Sequence, residues 1–82
     1  MITDRGIEFA VEILEREGYL TDAFSENDDF DANLAKVKTA IAKYLEASVA
    51  KGSARSNQEC ADAILIAYFE AYIDDVAKHR VN

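Results

Sequence analysis

Apolar residues recur at intervals of three and four in the first part of the chain, which is the spacing of one face of an α-helix. Thr3 is a suitable N-cap for this helix, and acidic residues occupy the opposite face. Gly18 is a suitable left-handed stop, and Tyr19 behind it can complete a Schellman ending. The pattern predicts a helix over about residues 4–17. Its apolar stripe consists of Ile7, Phe9, Ala10, Val11, Ile13 and Leu14.

A second apolar seam is narrower and predicts an outer helix over about residues 31–50. Asp29 or Asp31 can cap its first turn, and lysines fill its other faces. Residues 51–53, which read Lys-Gly-Ser, break the helix. The seam consists of Leu34, Val37, Ile41, Tyr44, Leu45 and Ser48.

The third stripe is so wide that it covers more than half of a helix circumference. Ser56 and Glu59 fit a capping box, so we expect this helix to run over about residues 56–79. A stripe of this width needs two neighbouring helices, and any uncovered part becomes an interface. Its main positions are Ile64, Leu65, Tyr68, Phe69, Ala71, Tyr72 and Val76, with Ile66 and Ile73 beside the polar strip. The candidate dimer-interface residues are Ile66, Tyr68, Tyr72 and Ile73.

Composition supports this helical interpretation. Half of the 82 residues are apolar, and there are three glycines and no proline, which suits a few long helices better than a sheet with many turns. We predict a single all-α domain spanning 1–82, a three-helix bundle whose C-terminal helix is central. Residues 19–30 are predicted to form an ordered acidic connector between the first two helices.

The charge is strongly negative and unevenly distributed. Sixteen acidic and nine basic residues give a net charge of −7, which opposes binding to nucleic acid or to anionic membranes. Residues 36–55 carry five bases and one acid, whereas residues 17–35 carry six acids and no base. Such a surface either keeps a small protein soluble or attracts a basic partner, and it also permits head-to-tail self-association.

Oxygen-bearing side chains at Asp29, Asp31 and Asn33 resemble the start of a calcium-binding loop. Counted from Asp29, the glycine and the bidentate glutamate of that loop are replaced by Leu34 and Ala40. We therefore interpret this stretch as a helix N-terminus and predict no metal site. A single cysteine and a single histidine also exclude a zinc cluster with the usual spacing.

The sequence contains no arrangement typical of catalysis. Asp74 and Asp75 are adjacent, so on a helix they point about 100° apart. Cys60 and His79 lie some five turns apart on the same predicted helix, which is too far for one to activate the other. No glycine-rich phosphate loop is present. We expect a non-enzymatic protein without cofactors.

The leading hypothesis is an acidic protein-binding module that docks on a basic surface of another protein and can inhibit it by occupying a nucleic-acid-binding site. In size and charge, though in no sequence motif, the chain resembles small phage-encoded inhibitors of host defence, including anti-CRISPR proteins. The alternative is a homodimeric helical scaffold, adaptor or accessory subunit. With no signal-peptide pattern and no long apolar run, we expect a cytoplasmic location. The candidate partner-binding residues are Tyr19, Asp22, Phe24, Glu26, Asp28, Asp29 and Asp31.

Overall fold

The computed structural model describes residues 2–20 and 29–81, and within these ranges it confirms an all-α fold. Helix α1 spans Asp4–Arg16, α2 spans Phe30–Lys51 and α3 spans Asn57–Val81, with a short 3₁₀ turn at Gly52–Ala54 before α3. The predicted helix ends differ from these by no more than two residues. Most of the predicted connector, residues 21–28, lies outside the described residues.

The three helices begin where the capping residues predicted. Thr3 Oγ1 accepts a hydrogen bond from the Gly6 amide at 3.1 Å. At α2 the cap is Asp29 rather than Asp31, because Asp29 Oδ1 accepts from the Ala32 amide at 2.7 Å. The capping box before α3 is also confirmed: the Glu59 amide donates to Ser56 Oγ at 3.1 Å, and the Ser56 amide donates to Glu59 Oε1 at 3.2 Å.

Helix α1 ends in a Schellman motif at Gly18, whose φ of 82° is in the left-handed region. The Gly18 amide donates to the Glu15 carbonyl at 3.1 Å, and the Tyr19 amide donates to the Leu14 carbonyl at 2.9 Å. These bonds satisfy carbonyls that the helix end would otherwise leave unpaired. The motif turns the chain so that Leu20 enters the core.

Helix α3 is the central element, as predicted, since α1 and α2 each pack on it more extensively than on one another. It runs antiparallel to α2, because Lys51 pairs with Glu59 at one end and Lys38 approaches Asp74 further along. It is antiparallel to α1 as well: Arg16 lies against Asp62, and the start of α1 lies beside Tyr68. Helices α1 and α2 therefore run in the same direction.

The core forms where the three helices meet, and Leu14, Ile41 and Ile66 are its most deeply buried large side chains. The predicted seam of α2 is confirmed at Val37, Ile41, Tyr44 and Ser48, all of which are buried. The remaining members of the core are Ala10, Ile13, Leu20, Ala40, Phe69 and Ile73.

Two predictions about side-chain placement need correction. Phe9 was assigned to the buried stripe of α1 but is exposed. In α3, Ile66 and Ile73 face the core, whereas Ile64 and Tyr68 face solvent. The face of α3 that is buried is therefore rotated relative to the predicted stripe. Because α3 carries apolar residues nearly all round, its own periodicity cannot select the face that α1 and α2 cover.

Candidate protein-binding surfaces

The candidate acidic surface is only partly within the described residues, since Asp22, Phe24, Glu26 and Asp28 lie outside them. Asp29 is exposed, but its carboxylate caps α2. Asp31 is also exposed, in the first turn of the same helix. Tyr19 is half-buried, and its ring meets that of Tyr44 edge to face with the centroids 6.0 Å apart. Asp29 and Tyr19 thus have structural roles that are independent of any partner.

The four candidate dimer-interface residues do not share one surface. Ile66 and Ile73 are 0% and 7% exposed, so both belong to the core of the single chain. Tyr68 and Tyr72 lie on the outer face, 57% and 39% exposed. Within the described structure only the two tyrosines are accessible to a partner, because the isoleucines already contact the other helices.

The outer face of α3 carries a row of exposed apolar side chains. Ile64, Tyr68 and Tyr72 follow one another at four-residue steps, which places them along one side of the helix. The Tyr72 ring is stacked on Phe69, with centroids 6.5 Å apart and planes at 14°, so this tyrosine is held against the core. Phe9 of α1 is a further exposed aromatic residue, 51% accessible.

An open groove follows the junction of α1 and α3. Its larger section, about 590 Å³, is lined by Phe9, Glu12, Ala61 and Leu65 among others. A smaller section of about 330 Å³ lies between Leu65, Tyr68 and the start of α1. Leu65 lines both sections. We call this feature the α1–α3 groove and define it by Phe9, Glu12, Ala61, Leu65 and Tyr68.

Of the acidic side chains on α1, only Glu12 lines this groove, whose larger section also contains the Arg16–Asp62 pair. Four exposed carboxylates recur at steps of four, four and three residues, and none forms an ion pair with any described residue. They are Asp4, Glu8, Glu12 and Glu15. Together, α1 and α3 contain nine acidic and four basic residues. Glu59 and Asp74 of α3 lie against lysines of α2, and Arg16 of α1 is paired with the buried Asp62.

A second cavity, about 250 Å³, lies near the ends of α1 and α2 and the start of α3, and it is more polar. The Asp62 carboxylate is buried beside it, accepting hydrogen bonds from Arg16 Nη2 at 3.2 Å and Gln58 Nε2 at 2.9 Å. Burial raises the pKa of the nearby Tyr44 hydroxyl, and the Asp62 charge raises it further. Both carboxylate oxygens of Asp62 are thus engaged within the chain.

The described structure does not bring Cys60 and His79 together. Cys60 and His79 are 19 residues apart on α3, about 28 Å at the rise of an α-helix. His79 Nδ1 lies 2.8 Å from the Asp75 carbonyl oxygen, one turn earlier in its own helix. In the part of the chain that the structure describes, no three His, Cys, Asp or Glu side chains are grouped to hold a metal ion. Nor is any helix there long and apolar enough to cross a bilayer.

Comparison of the chain with protein-family models, with curated proteins and with solved structures found no match. The surface itself is therefore the basis for inferring a function. Phe9 and Leu65 were not predicted as site residues, because only the packing of α1 on α3 brings them together. The sequence feature that pointed to such residues was that the chain has more apolar residues than a core of this size can bury.

Proposed function

We propose that this protein is a non-enzymatic protein-binding module that recognises a basic surface of another protein through its α1–α3 side. The observation that carries the proposal is the combination of exposed aromatic residues on α1 and α3 with a net charge of −7 and four exposed carboxylates along α1. Aromatic side chains supply much of the binding energy at protein interfaces. Complementary charge accelerates association and selects the partner.

Inhibition by competition is the mode of action that best fits such a surface. Carboxylates four residues apart on α1 are about 6 Å apart along the helix axis, a repeat similar to that of phosphates along a nucleic-acid strand. A basic groove that normally binds nucleic acid would accept this array, and the apolar residues beside it would add contacts that nucleic acid lacks. The partner proposed here is thus a nucleic-acid-binding protein.

A homodimeric scaffold is the second candidate function, because Ile64, Tyr68 and Tyr72 leave an apolar row on α3 uncovered. Charge opposes this arrangement. Each copy has a net charge of −7 and would bring its own acidic α1 close to that of its twin. The loss of Ile66 and Ile73 to the core also reduces the apolar area that remains for a symmetric interface.

Affinity capture from host lysate, followed by mass spectrometry, tests the proposed function. The wild-type chain is compared with Glu12→Lys/Glu15→Lys on α1 and with the control Glu46→Lys/Glu70→Lys. The control makes the same change in charge at exposed sites elsewhere. Glu70 lies two residues from both Tyr68 and Tyr72 and so points about 200° away from each of them on the helix.

We expect the wild type and the control to retain a basic protein that the α1 variant loses. A third variant, with Asp22, Glu26, Asp28 and Asp31 reversed to lysine and the Asp29 cap of α2 retained, tests the acidic surface identified from the sequence. Loss of the partner in that variant alone would move the binding site to the 22–31 segment. Retention of the partner in all three variants would contradict recognition through acidic residues.

A further inference from the structure

We propose that the cavity at the ends of the helices binds a small uncharged polyol of about the size of a monosaccharide. This cavity has a volume of about 250 Å³ and lies where α1 and α2 end and α3 begins. We call it the helix-end cavity and define it by Tyr19, Tyr44, Ser48, Lys51 and Asp62, all of which line it. The inference is independent of the proposed function, because it concerns a small molecule and needs no partner protein.

Two hydroxyl groups of α2 that line the cavity belong to largely buried side chains. Tyr44 and Ser48 are 9% and 8% exposed and lie one helical turn apart. The Tyr44 hydroxyl forms no hydrogen bond with any described residue. Ser48 Oγ accepts one from Arg55 Nη1 at 3.4 Å, which is a long distance for a hydrogen bond. A buried hydroxyl without a partner is unfavourable, so a ligand oxygen that bonds to Tyr44 stabilises the complex.

The Tyr44 hydroxyl keeps its proton and lies among the charged groups of the cavity. Burial raises its pKa, and the carboxylates of Asp62 and Glu17 raise it further, whereas the Arg16 guanidinium lowers it. At neutral pH this hydroxyl is therefore a hydrogen-bond donor, and its oxygen can also accept. The Ser48 oxygen already accepts a bond, so its own proton remains for donation to a ligand.

The charged groups around the cavity largely neutralise one another. Arg16 pairs with Asp62 at 3.2 Å and lies 3.6 Å from Glu17, and Lys51 pairs with Glu59. A cationic ligand would compete with Arg16 and Lys51 for these carboxylates, whereas an anionic ligand would lie beside three of them. Either ion would also lose hydration that paired groups do not replace. An uncharged ligand avoids both costs.

The hydrogen-bonding capacity that remains suits hydroxyl groups. Lys51 pairs with Glu59 alone among the described residues, and an ammonium group can donate further bonds. The Glu17 carboxylate receives no hydrogen bond from the described residues, since Arg16 is 3.6 Å away. The cavity thus offers donors and an acceptor, and each hydroxyl of a polyol can both donate and accept. The half-buried Tyr19 ring supplies an apolar contact for the C–H groups of the ligand.

The volume of the cavity sets the size of the ligand. Because liquid water occupies about 30 Å³ per molecule, a cavity of about 250 Å³ corresponds to about eight water molecules. Inositol and the hexoses, with about twelve non-hydrogen atoms, fill a space of this size. A ligand with so few atoms is expected to bind with a dissociation constant of about 1–10 mM.

The test titrates a matched series of probes into the full chain and follows the amide chemical shifts. Inositol and glucose are the uncharged polyols. Glucosamine and glucuronate carry charges of opposite sign at neutral pH on the same sugar ring. Cyclohexanol keeps a six-membered ring but has a single hydroxyl. The series therefore separates the recognition of hydroxyl groups from charge and from apolar contact.

We expect inositol, glucose or both to shift amides around Tyr44, Ser48 and Asp62. The charged sugars and cyclohexanol should bind at least about fivefold more weakly. Tyr44→Phe removes only the hydroxyl and should weaken polyol binding about fivefold, and Ser48→Ala should have a similar effect. The matched control Tyr68→Phe removes an exposed hydroxyl outside the cavity and should stay within about twofold. Thermal unfolding of each variant verifies that it is folded.

Three outcomes would overturn the inference. Neither polyol could shift these amides at about 100 mM, which is tenfold above the weakest dissociation constant expected. Cyclohexanol or a charged sugar could bind as tightly as the polyols, or Tyr44→Phe and Tyr68→Phe could have equal effects on binding. None of these results bears on the recognition of a basic partner, which the affinity capture tests separately.

Discussion

Asp62 shows how a charged residue is accommodated in this small core. It is 8% exposed, and its carboxylate accepts hydrogen bonds from Arg16 and Gln58. The guanidinium of Arg16 remains largely in solvent, with its side chain 61% exposed. The two partners are therefore not equivalent, because only the carboxylate has given up most of its hydration.

We predict that Arg16→Met lowers the free energy of unfolding by about 1–3 kcal/mol, since it leaves a buried carboxylate with a single donor. Asp62→Asn should cost less, because the exposed Arg16 can be hydrated and the amide oxygen can still accept from Gln58. Urea denaturation measures both. As a control, Lys38→Met at the exposed pair with Asp74 should cost less than about 0.5 kcal/mol. Equal losses for Arg16→Met and Lys38→Met would contradict the larger cost expected when a buried carboxylate loses its cation.

Glu59 combines two interactions at the start of α3, since it closes the capping box with Ser56 and pairs with Lys51. The hydrogen bond from Lys51 holds the pKa of Glu59 below its ordinary value, with the bonds to Ser56 acting in the same direction. The same contact raises the pKa of Lys51. The pair therefore stabilises the fold at pH values at which Glu59 is ionised and Lys51 is protonated.

A glutamate with a lowered pKa stabilises the folded state above its unfolded pKa of about 4.3, and this contribution is lost as the pH falls through the folded pKa. We expect the urea midpoint of the wild type to fall more steeply between about pH 6 and pH 3 than that of Glu59→Gln. Glutamine preserves the capping box and removes only the charge. The control Glu46→Gln, at an exposed site, should follow the wild type. Parallel curves for Glu59→Gln and the wild type would contradict this role.

At the scale of elements, α3 differs from α1 and α2 in how it acquires its buried face. In α2 the apolar seam is narrow, so its periodicity alone identified Val37, Ile41 and Tyr44 as buried. In α3 two rows compete, one containing Ile66 and Ile73 and the other containing Ile64 and Tyr68. Contacts with α1 and α2 bury the first row and leave the second exposed.

A matched pair of substitutions tests the face of α3 that is buried. Ile66→Val should lower the free energy of unfolding by about 0.5–1.5 kcal/mol, because it removes a methylene from a fully buried side chain. Ile64→Val makes the same chemical change at a residue 58% exposed and should cost less than about 0.5 kcal/mol. Both are measured by urea denaturation. A larger loss for Ile64→Val than for Ile66→Val would mean that the row containing Ile64 and Tyr68 faces the core.

At the scale of the whole molecule, charge is unevenly distributed among the helices. Residues 30–55 carry five basic and two acidic residues, while α1 and α3 together carry nine acidic and four basic ones. The four exposed carboxylates of α1 follow one another at three- and four-residue steps, and their mutual repulsion opposes folding. This repulsion reduces the stability of the folded protein.

We therefore predict that the thermal midpoint rises by a few degrees when sodium chloride is raised from about 0.02 M to 0.3 M, because salt screens this repulsion. Glu12→Lys/Glu15→Lys, which reduces the net charge from −7 to −3, should show a smaller rise. Calorimetric scans of both proteins measure the effect. A midpoint that falls with salt would show that attractive surface pairs outweigh the repulsion.

The sequence by itself determined the helical class, the helix starts at Thr3 and Ser56, the start of α2 at Asp29 or Asp31, and the stop at Gly18. These features depend on interactions between residues three to five apart, which a local pattern contains. Only the tertiary structure decided which face of α3 is buried and that Phe9, Leu65 and Tyr68 line one groove. Burial depends on where neighbouring helices lie, and a helix that is apolar nearly all round does not specify that position.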